Sequence, residues 1–399
     1  MIAGIGWFLL AVSLLGVVYT LGAGLAVRWL FSRAPLHPAR APSVSVLKPL
    51  CGDEAGLAER VAQVCDQDYP GKVQIIFGVR DPLDAAVPVI RRLIADHPHA
   101  DIELVIDDRV YGSNLKISNL MNMERRVRYD TLVVADSDVS VTPDYLTHLM
   151  ATLGQPGVGY ATCAYFGAPT GNIWSRISAM AIDYHWIPSV AFGLRLKLAK
   201  PCFGPTMAFR KDVFERAGGF SAFADRLADD FEIGHAIRAL GYGFAISPIP
   251  IGHACPETDA ASVLSHELRW ARTIRLIDPA GYGGTVICHP LLFAIVGAIL
   301  MQGAAPGLLA IVLALAARLF VIIEVDRIAK PRRANWWLVP LRDLLSIGVF
   351  GASFMGSNVM WRGRKLRIGA NGVLVGRRAV RPLLLRRFSA WGGASHPTN

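Results

Sequence analysis

The chain of 399 residues is 53% hydrophobic and only 18% charged, and its mean hydropathy is +0.38. This composition predicts membrane-spanning segments and excludes disordered and low-complexity architectures, because a typical soluble domain is less apolar and carries more charge. The net charge of +10 is concentrated near the C-terminus, where no Asp or Glu follows Asp343 but nine Lys or Arg residues do. A basic patch of this kind favours an anionic membrane surface over nucleic acid as its partner.

The first predicted element is a membrane helix. Residues 1–27 contain no charged side chain and are followed by Arg28 and Arg33, and this run is longer than the roughly 20 residues that cross a bilayer. Positive charge follows the apolar run instead of preceding it, so residues 1–33 are predicted to be an uncleaved anchor and not a signal peptide. The positive-inside rule then places the following segment in the cytoplasm.

Between residues 43 and 280 the pattern changes to short apolar runs that alternate with amphipathic segments. Strands are predicted at 43–47, 73–79, 102–106 and 131–135, with helices at 55–66 and 85–96 between them. This alternation predicts an α/β domain with a mostly parallel sheet and helices on both faces. Its ligands are expected at the carboxyl ends of the strands.

Acidic residues follow two of these predicted strands. Asp81 comes after the second strand, and Asp136 and Asp138 come directly after the fourth. Paired carboxylates at the edge of a sheet are suited to a hard divalent cation. An isolated Asp-x-Asp step can equally cap the helix or turn that follows it, so both interpretations stay open for this pair.

Two further segments carry chemistry that is typical of a catalytic site. Asp229 and Asp230 precede a predicted helix at 232–240. This acidic pair is either catalytic or an N-cap of that helix. In a second predicted helix, spacing places His266 and Arg269 on one face with Trp270 adjacent. A guanidinium beside an indole can grasp a phosphate, although a basic amphipathic helix lying on the membrane remains an alternative.

The segment 174–197 is rich in aromatic and apolar residues, including Tyr184, His185 and Trp186. It is predicted to form either an interfacial helix beside the entrance for a membrane lipid or a helix buried against the sheet. We therefore treat Tyr184, His185 and Trp186 as the candidate acceptor region.

The C-terminal third returns to membrane patterns. No Asp, Glu, Lys or Arg lies between Asp278 and Arg318, and residues 303–307 (GAAPG) interrupt this stretch. A transmembrane hairpin is therefore predicted over 284–330. Basic residues flank the apolar segment 336–361 on both sides, so residues 334–399 are predicted to be a re-entrant or interfacial segment with a basic tail. Arg342 and Asp343, inside this segment, are expected to pair with each other.

Together these motifs resemble the inverting, GT-A-type glycosyltransferases, and within them the ceramide glucosyltransferase family. The resemblance covers about residues 43–290, with a matching membrane layout on both sides. Four further blocks support it, namely 46–50 (VLKPL), 112–120 (GSNLKISNL), 210–214 (RKDVF) and 217–220 (AGGF). It implies a GT-A, Rossmann-like α/β fold with N- and C-terminal membrane helices.

The resemblance also implies a role for each candidate site residue. Asp230 corresponds to the catalytic base, and Asp136 with Asp138 to a site for Mg²⁺ or Mn²⁺. The residues implied to bind the nucleotide-sugar are Asp81, Lys116, Asp136, His266, Arg269 and Trp270. The last three match a (Q/R)xxRW box, but His266 stands where that box has Gln or Arg, which puts its phosphate contact in doubt.

A shorter stretch, 266–275 (HELRWARTIR) with 278–282 (DPAGY), is most similar to the bacterial hopanoid-biosynthesis glycosyltransferases. It implies a multi-pass enzyme of the bacterial inner membrane, with its catalytic domain facing the cytoplasm and no nucleic acid partner. Such an enzyme moves glucose or N-acetylglucosamine from a UDP-sugar to a membrane lipid, with a hopanoid polyol favoured and ceramide next. The alternatives are a processive polysaccharide synthase and a non-catalytic, membrane-anchored nucleotide-binding protein.

Overall fold

A computed structural model describes residues 2–33, 41–329, 336–356, 358–361, 364–368 and 374–375. Its centre is an eight-stranded sheet with the strand order β3-β2-β1-β4-β7-β6-β8-β5. Strands β1 to β4 pair in parallel, as do β6 and β8, whereas β7 and β5 run antiparallel to their neighbours. The strands are β1 Val44–Pro49, β2 Val73–Val79, β3 Asp101–Ile106, β4 Thr131–Ala135, β5 Val139–Ser140, β6 Val158–Pro169, β7 Thr206–Arg210 and β8 Gly243–Cys255.

Helices surround this sheet and continue into the membrane segments. Fourteen α-helices lie in the described part of the chain, and three short antiparallel strands follow them. The helices are α1 Ile2–Phe31, α2 Leu57–Cys65, α3 Ala86–Asp96, α4 Leu115–Glu124, α5 Tyr145–Leu153, α6 Ile173–Ala181, α7 Ile187–Arg195, α8 Lys211–Arg216, α9 Asp229–Ala239, α10 Ala260–Ile277, α11 Pro279–Gly284, α12 Pro290–Leu300, α13 Ala305–Ile328 and α14 Val339–Ser353; the late strands are β9 Asn358–Trp361, β10 Arg364–Ile368 and β11 Leu374–Val375.

Two apolar cores lie on opposite faces of the sheet. Successive side chains of a strand point to opposite faces, and Val46 accordingly joins one core while Leu47 joins the other. Helices α2, α3, α5 and α6 cover the first face, and α4, α8 and α9 cover the second. The predicted α/β class, a mostly parallel sheet with helices on both faces, is confirmed.

The predicted strands agree well with the observed ones over the first half of the domain. The second and fourth have the predicted bounds, 73–79 and 131–135, and the first extends two residues further, to Pro49. The helix expected at 232–240 begins three residues earlier, at Asp229. Asp229 and Asp230 therefore lie in its first turn and not before it.

In the part of the chain that the structure describes, two helices, α1 and α13, are long and apolar enough to cross a membrane. Gly16 of α1 lies so close to the next layer that a Cβ atom there would be 2.6 Å from the Ile287 carbonyl oxygen. Gly24 makes a similarly close approach to Phe320 of α13. Small residues at such contacts are typical of helices packed inside a bilayer.

The hairpin predicted over 284–330 turns between α12 and α13, where residues 303–307 interrupt the apolar stretch. Its first arm, however, is short. Helix α12 has 11 residues and bends by 60° from the preceding segment Pro279–Cys288. This pair is therefore a broken span or a re-entrant segment, since a straight span needs roughly 20 residues. Helix α14 has 15 residues, and its predicted re-entrant or interfacial position stays a prediction, as do the domain boundaries. Residues 376–399 of the basic tail lie outside the described residues.

The expected ion pair between Arg342 and Asp343 is wrong, because the two side chains leave α14 toward different neighbours. Arg342 binds Glu267 of α10 through two hydrogen bonds of 2.5 and 2.7 Å. Asp343 binds Arg318 of α13, with Oδ1 2.6 Å from Nη2, and His185 at 3.0 Å. Adjacent helical positions point about 100° apart. Arg342 therefore links α14 to α10, and Asp343 links it to α13.

The segment 174–197 forms α6, a π-helical turn at Ile182–Trp186, and α7. Ile177, Ile182 and Ile187 are buried in the core on the first face of the sheet, which agrees with the buried interpretation. Helix α7 packs against α1, where the ring of Phe192 contacts Tyr19 with centroids 4.9 Å apart. This segment therefore connects the sheet to the membrane anchor.

Candidate active site

Lys116 and Asp136 meet at the carboxyl end of β4. Asp136 follows the last residue of that strand, and its Oδ1 lies 2.7 Å from the Lys116 Nζ. The ammonium of Lys48, which is fully buried on β1, donates a 2.7 Å hydrogen bond to the carbonyl of Asp136. Two lysines therefore hold the first residue of the Asp-x-Asp step, Lys116 by its carboxylate and Lys48 by its backbone carbonyl.

The first turn of α4 positions Lys116. Asn114 caps this helix by accepting hydrogen bonds from the backbone of Lys116 and Ile117, and it donates to Asp229 Oδ1 at 3.2 Å. Asp229 also lies 3.7 Å from the Lys116 Nζ. Burial alone would lower the pKa of Lys116, but the charges of Asp136 and Asp229 outweigh burial and raise that pKa above its usual value. The ammonium is therefore held protonated between two carboxylates.

The turn before α4 tolerates no side chain at Gly112, since a Cβ atom there would lie 2.3 Å from the Ala224 carbonyl oxygen. We expect Gly112→Ala to lower the free energy of unfolding by about 1 to 3 kcal/mol, because the backbone must move to relieve the overlap. Thermal unfolding of the detergent-solubilised chain measures this loss. Gly171→Ala is the matched control, since a Cβ there meets nothing within 4 Å, and equal losses in both variants would contradict the explanation.

Asp138 meets His253 across the pairing of β5 with β8. Val139 is opposite His253 in the antiparallel register, and Asp138 Oδ1 lies 3.6 Å from His253 Nδ1. Burial alone would raise the pKa of Asp138, but the charge of His253 and then of Lys48 and Lys116 outweighs burial and keeps that pKa below its usual range. Conversely, burial would lower the pKa of His253, and the Asp138 carboxylate raises it. Without a bound cation the pair is therefore charged, with His253 buried and Asp138 partly exposed, and His253 must release its proton before Nδ1 can bind a metal.

The same two atoms bear on the metal that the sequence predicts. Among the described residues, no three His, Cys, Asp or Glu side chains already converge into a complete metal cluster. Asp138 Oδ1 and His253 Nδ1 are nevertheless both buried without a hydrogen-bond partner in the described part of the chain. Neighbouring ligands at about 2.1 Å from one octahedral ion are about 3.0 Å apart, so this pair, 3.6 Å apart, needs only a small approach of the two side chains to hold Mg²⁺ or Mn²⁺.

Asp230 is a partly buried acid in the first turn of α9. Ala228 occupies the N-cap position without any side-chain cap, so the alternative in which this acidic pair caps the helix is wrong. Asp230 accepts a 2.8 Å hydrogen bond from the backbone N–H of Gly204 and another from Phe231. Burial and the neighbouring charge of Asp229 raise its pKa to about 6. Each carboxylate oxygen keeps a lone pair for a further proton.

Helix α10 brings the predicted phosphate-binding residues to the same edge. Asp259 caps it through a reciprocal capping box with Ser262. His266 forms a short hydrogen bond with the buried Glu257, and its ring meets Trp270 edge-on at 4.8 Å. Burial would raise the pKa of Glu257, but His266 lowers it. Glu257 thus fixes the orientation of the His266 ring.

Trp270 connects this helix to the pair of Asp138 and His253. Its ring centroid lies 5.9 Å from that of His253, and the Tyr165 ring contacts both of them. Arg269 is half-buried on the same helix. The structure therefore brings Asp138, His253 and the predicted phosphate-binding box together.

Asp81 and two residues of the candidate acceptor region have their contacts away from this cluster. Asp81 follows β2, which β1 separates from β4, and its exposed carboxylate accepts a hydrogen bond from the Leu83 N–H. In the candidate acceptor region, Trp186 stacks on Tyr165 at 4.3 Å and so faces the site. Tyr184 and His185 instead bond to Asp326 and Asp343, on the membrane side.

Comparison with known proteins decides the family. The model described as "Glycosyl transferase family 21" matches residues 8–374, which includes the sheet, the site and most of the membrane segments. The chain belongs to glycosyl transferase family 21. The predicted identification as a glycosyltransferase of this kind is confirmed.

Family 21 membership agrees with the similar curated proteins. The chain is 26% identical to ceramide glucosyltransferase 3 of Caenorhabditis elegans, over 58% of this chain and 50% of that protein. It is also 26% identical to an N-acetylglucosaminyltransferase of Bradyrhizobium diazoefficiens, over 58% of this chain and 49% of that protein. The chain therefore spans about half the length of these relatives. A solved mannosyltransferase from Pyrobaculum calidifontis, in complex with GDP-Man and Mn²⁺, is 20% identical with a TM-score of 0.48 and covers 82% of this chain and 100% of its own.

Sequence reasoning missed four residues of this family 21 site. Asp229 was seen only as half of an acidic pair, and Lys48 carried a weak signal as a lysine inside an apolar strand. Glu257 and His253 had no local signal, because β8 was not predicted. Only strand pairing brings His253 next to Asp138.

Proposed function

We propose that the chain is an inverting, metal-dependent glycosyltransferase that transfers a sugar from a UDP-sugar to the hydroxyl of a membrane lipid. The observation that carries this proposal is the meeting of a partly buried carboxylate of raised pKa, Asp230, with the cluster of Lys116, Asp136, Asp138 and His253 at one edge of the sheet. A general base and charge that neutralises a diphosphate are the two requirements of this reaction.

Asp230 acts as the base. As the lipid hydroxyl oxygen attacks the anomeric carbon, its proton passes to the free lone pair of the Asp230 carboxylate. The bond from the anomeric carbon to the diphosphate oxygen breaks on the opposite side, and its electron pair leaves with UDP. A single displacement of this kind inverts the anomeric configuration. The N–H groups of Gly204 and Phe231 keep the carboxylate aimed throughout.

The remaining residues stabilise the negative charge of the leaving UDP. Asp136, Asp138 and His253 would hold Mg²⁺ or Mn²⁺, which supplies Lewis-acid charge to the diphosphate when it is bound. Lys116 adds a fixed positive charge beside Asp136. His266, Arg269 and Trp270 border the same region from α10, and the contact with Glu257 keeps His266 in place. Asp81, at the end of β2, contacts the nucleoside.

The lipid acceptor reaches the site from the side of the membrane helices. Trp186 lines the approach through its stack on Tyr165, while Tyr184 and His185 fix the same turn to the membrane segments. Arg28 and Arg33 follow the apolar run of α1, which supports a catalytic domain on the cytoplasmic side. The proposed location is a bacterial inner membrane. Glucose and N-acetylglucosamine are the candidate sugars, and a hopanoid polyol is the favoured acceptor, with ceramide next.

A transfer assay on membranes tests the proposal. Radiolabelled UDP-glucose and UDP-N-acetylglucosamine are each offered with ceramide, diacylglycerol or a hopanoid polyol, with Mn²⁺ or with a chelator. We expect label in the hopanoid extract and its loss with chelator. Label with ceramide alone would correct the acceptor. A polymeric product would indicate a polysaccharide synthase, and UDP binding without any transfer would indicate a non-catalytic binding protein.

The raised pKa of Asp230 predicts a pH dependence. A base works only when deprotonated, so activity should be full well above pH 6 and fall as the pH drops through about 6. At saturating Mn²⁺, kcat/KM at pH 5 should be about one tenth of its plateau, since each pH unit below the pKa removes about nine tenths of the base form. A kcat/KM that stays flat down to pH 4.5 contradicts the assignment.

A further inference from the structure

The helix that carries the phosphate-binding box is attached to the C-terminal membrane-associated segment by a buried ion pair. Arg342 of α14 is 1% exposed, and its guanidinium bonds both oxygens of Glu267, which lies on α10 between His266 and Leu268. The same guanidinium donates to the carbonyl of Ile177 on α6 and to Ser346. One arginine thus joins three helices.

Two arginines of α10 itself extend this attachment. Arg272 donates hydrogen bonds to the carbonyl oxygens of Met355 and Asn358, and Arg275 donates to that of Gly356. All of these acceptors lie just beyond α14, so the contacts continue along α10 from Glu267 for two further turns. The C-terminal segment therefore runs along the side of α10 and does not merely touch its end.

We propose that the Glu267–Arg342 pair is a positioning device that sets the rotation of α10 and thereby the placement of His266 and Trp270 against the diphosphate. This inference rests on the proposed function. His266 and Glu267 are adjacent and point about 100° apart. The contact of His266 with Glu257 holds the site side of the helix, and the contact of Glu267 with Arg342 holds its membrane side.

Geometry makes this second contact necessary. A side-chain atom about 6 Å from the helix axis moves by about 2 Å when the helix turns by about 20°. A shift of about 1 Å in a catalytic arrangement is enough for a hundredfold loss. Trp270 lies one turn from His266 on α10 and contacts the ring of His253, so the same rotation would move it out of that contact. The bidentate guanidinium resists rotation in a way that a lysine ammonium does not.

Binding of UDP to the purified full-length chain in Mn²⁺ tests the inference, together with the thermal midpoint of each variant. We expect Arg342→Lys, which keeps the charge but loses the two-point contact, to weaken UDP binding at least fivefold. Glu267→Gln should do the same, because it removes the other half of the pair. A neutral pair, Glu267→Gln with Arg342→Gln, removes the buried charges together and should weaken UDP binding no less than either single change.

Asp343→Asn is the matched control. It also removes a buried ionic contact from α14, but its partners Arg318 and His185 are not on α10. We expect its UDP affinity to stay within about twofold of the wild type despite a similar drop in thermal midpoint. If Asp343→Asn weakens UDP binding as much as Arg342→Lys does, or if Arg342→Lys binds UDP normally, the inference is overturned. A wild-type chain that binds no UDP would instead reject the proposed donor.

Discussion

Replacement of Asp230 with Asn is expected to lower kcat by about 10³-fold, because an amide cannot accept the proton of the lipid hydroxyl and positioned proton transfer contributes about 10² to 10⁴. UDP affinity should stay within about threefold, since the proposed role of Asp230 is toward the acceptor hydroxyl and not toward the diphosphate. One of the two backbone N–H groups, of Gly204 or of Phe231, will face the amide nitrogen and lose its acceptor, which costs about 1 to 3 kcal/mol of stability. Single-turnover transfer and UDP binding at the same temperature separate these effects.

Glu232→Gln is the control for this variant. Glu232 lies in the first turn of the same helix, and its carboxylate is 3.6 Å from Arg226, so the change removes an acid and an ion pair without reaching the proposed base. We expect transfer within about twofold of the wild type. Weak UDP binding with normal turnover at saturating donor in Asp230→Asn would place Asp230 in donor binding and reject it as the base.

The first half of the sheet was predictable because its signals are local. Strands β2 and β4 are short β-branched runs that are buried on both sides, and such runs stand out in a sequence. Strand β8 contains Ser247, two prolines and Gly252 and lacks a clear apolar period. Its pairing with β6 and β5 forms only through contacts distant in sequence, so it could not be recognised from its own residues.

The residues of the candidate site divide in the same way, into those with a local sequence signal and those that only distant contacts reveal. Asp136 and Asp138 were found because they follow an apolar strand, and Asp230 because it stands in an acidic pair. His253, by contrast, is a single histidine in an unpredicted strand, and its role becomes visible only when the register places it beside Asp138. The predicted pairing of Arg342 with Asp343 was also wrong, because it was based on their being neighbours in the sequence. Their actual partners, Glu267 and Arg318, are distant in the sequence and approach only in the folded chain.

The second large effect concerns the metal. We expect Asp138→Asn to weaken Mn²⁺ binding about a hundredfold or more, because it removes the negative charge, and His253→Gln about tenfold or more, because it removes the imidazole nitrogen that faces Asp138 Oδ1 at 3.6 Å. Changes around a metal site commonly cost 10- to 100-fold in affinity. Titration of Mn²⁺ into the full-length chain with UDP, followed by electron paramagnetic resonance, measures binding without any dependence on transfer. Transfer at limiting Mn²⁺ should fall in parallel and recover in part at high Mn²⁺ for His253→Gln.

Asp66 and His97 provide the matched control, since they form a second aspartate–histidine pair, 3.5 Å apart and more exposed. Asp66→Asn and His97→Gln should leave Mn²⁺ affinity and transfer unchanged. If His253→Gln binds Mn²⁺ as well as the wild type while Asp138→Asn does not, His253 is only an ionic partner of Asp138. If neither variant loses affinity, the fit of this pair to a divalent ion is rejected and the positive charge of Lys116 must serve the diphosphate without a metal at this position.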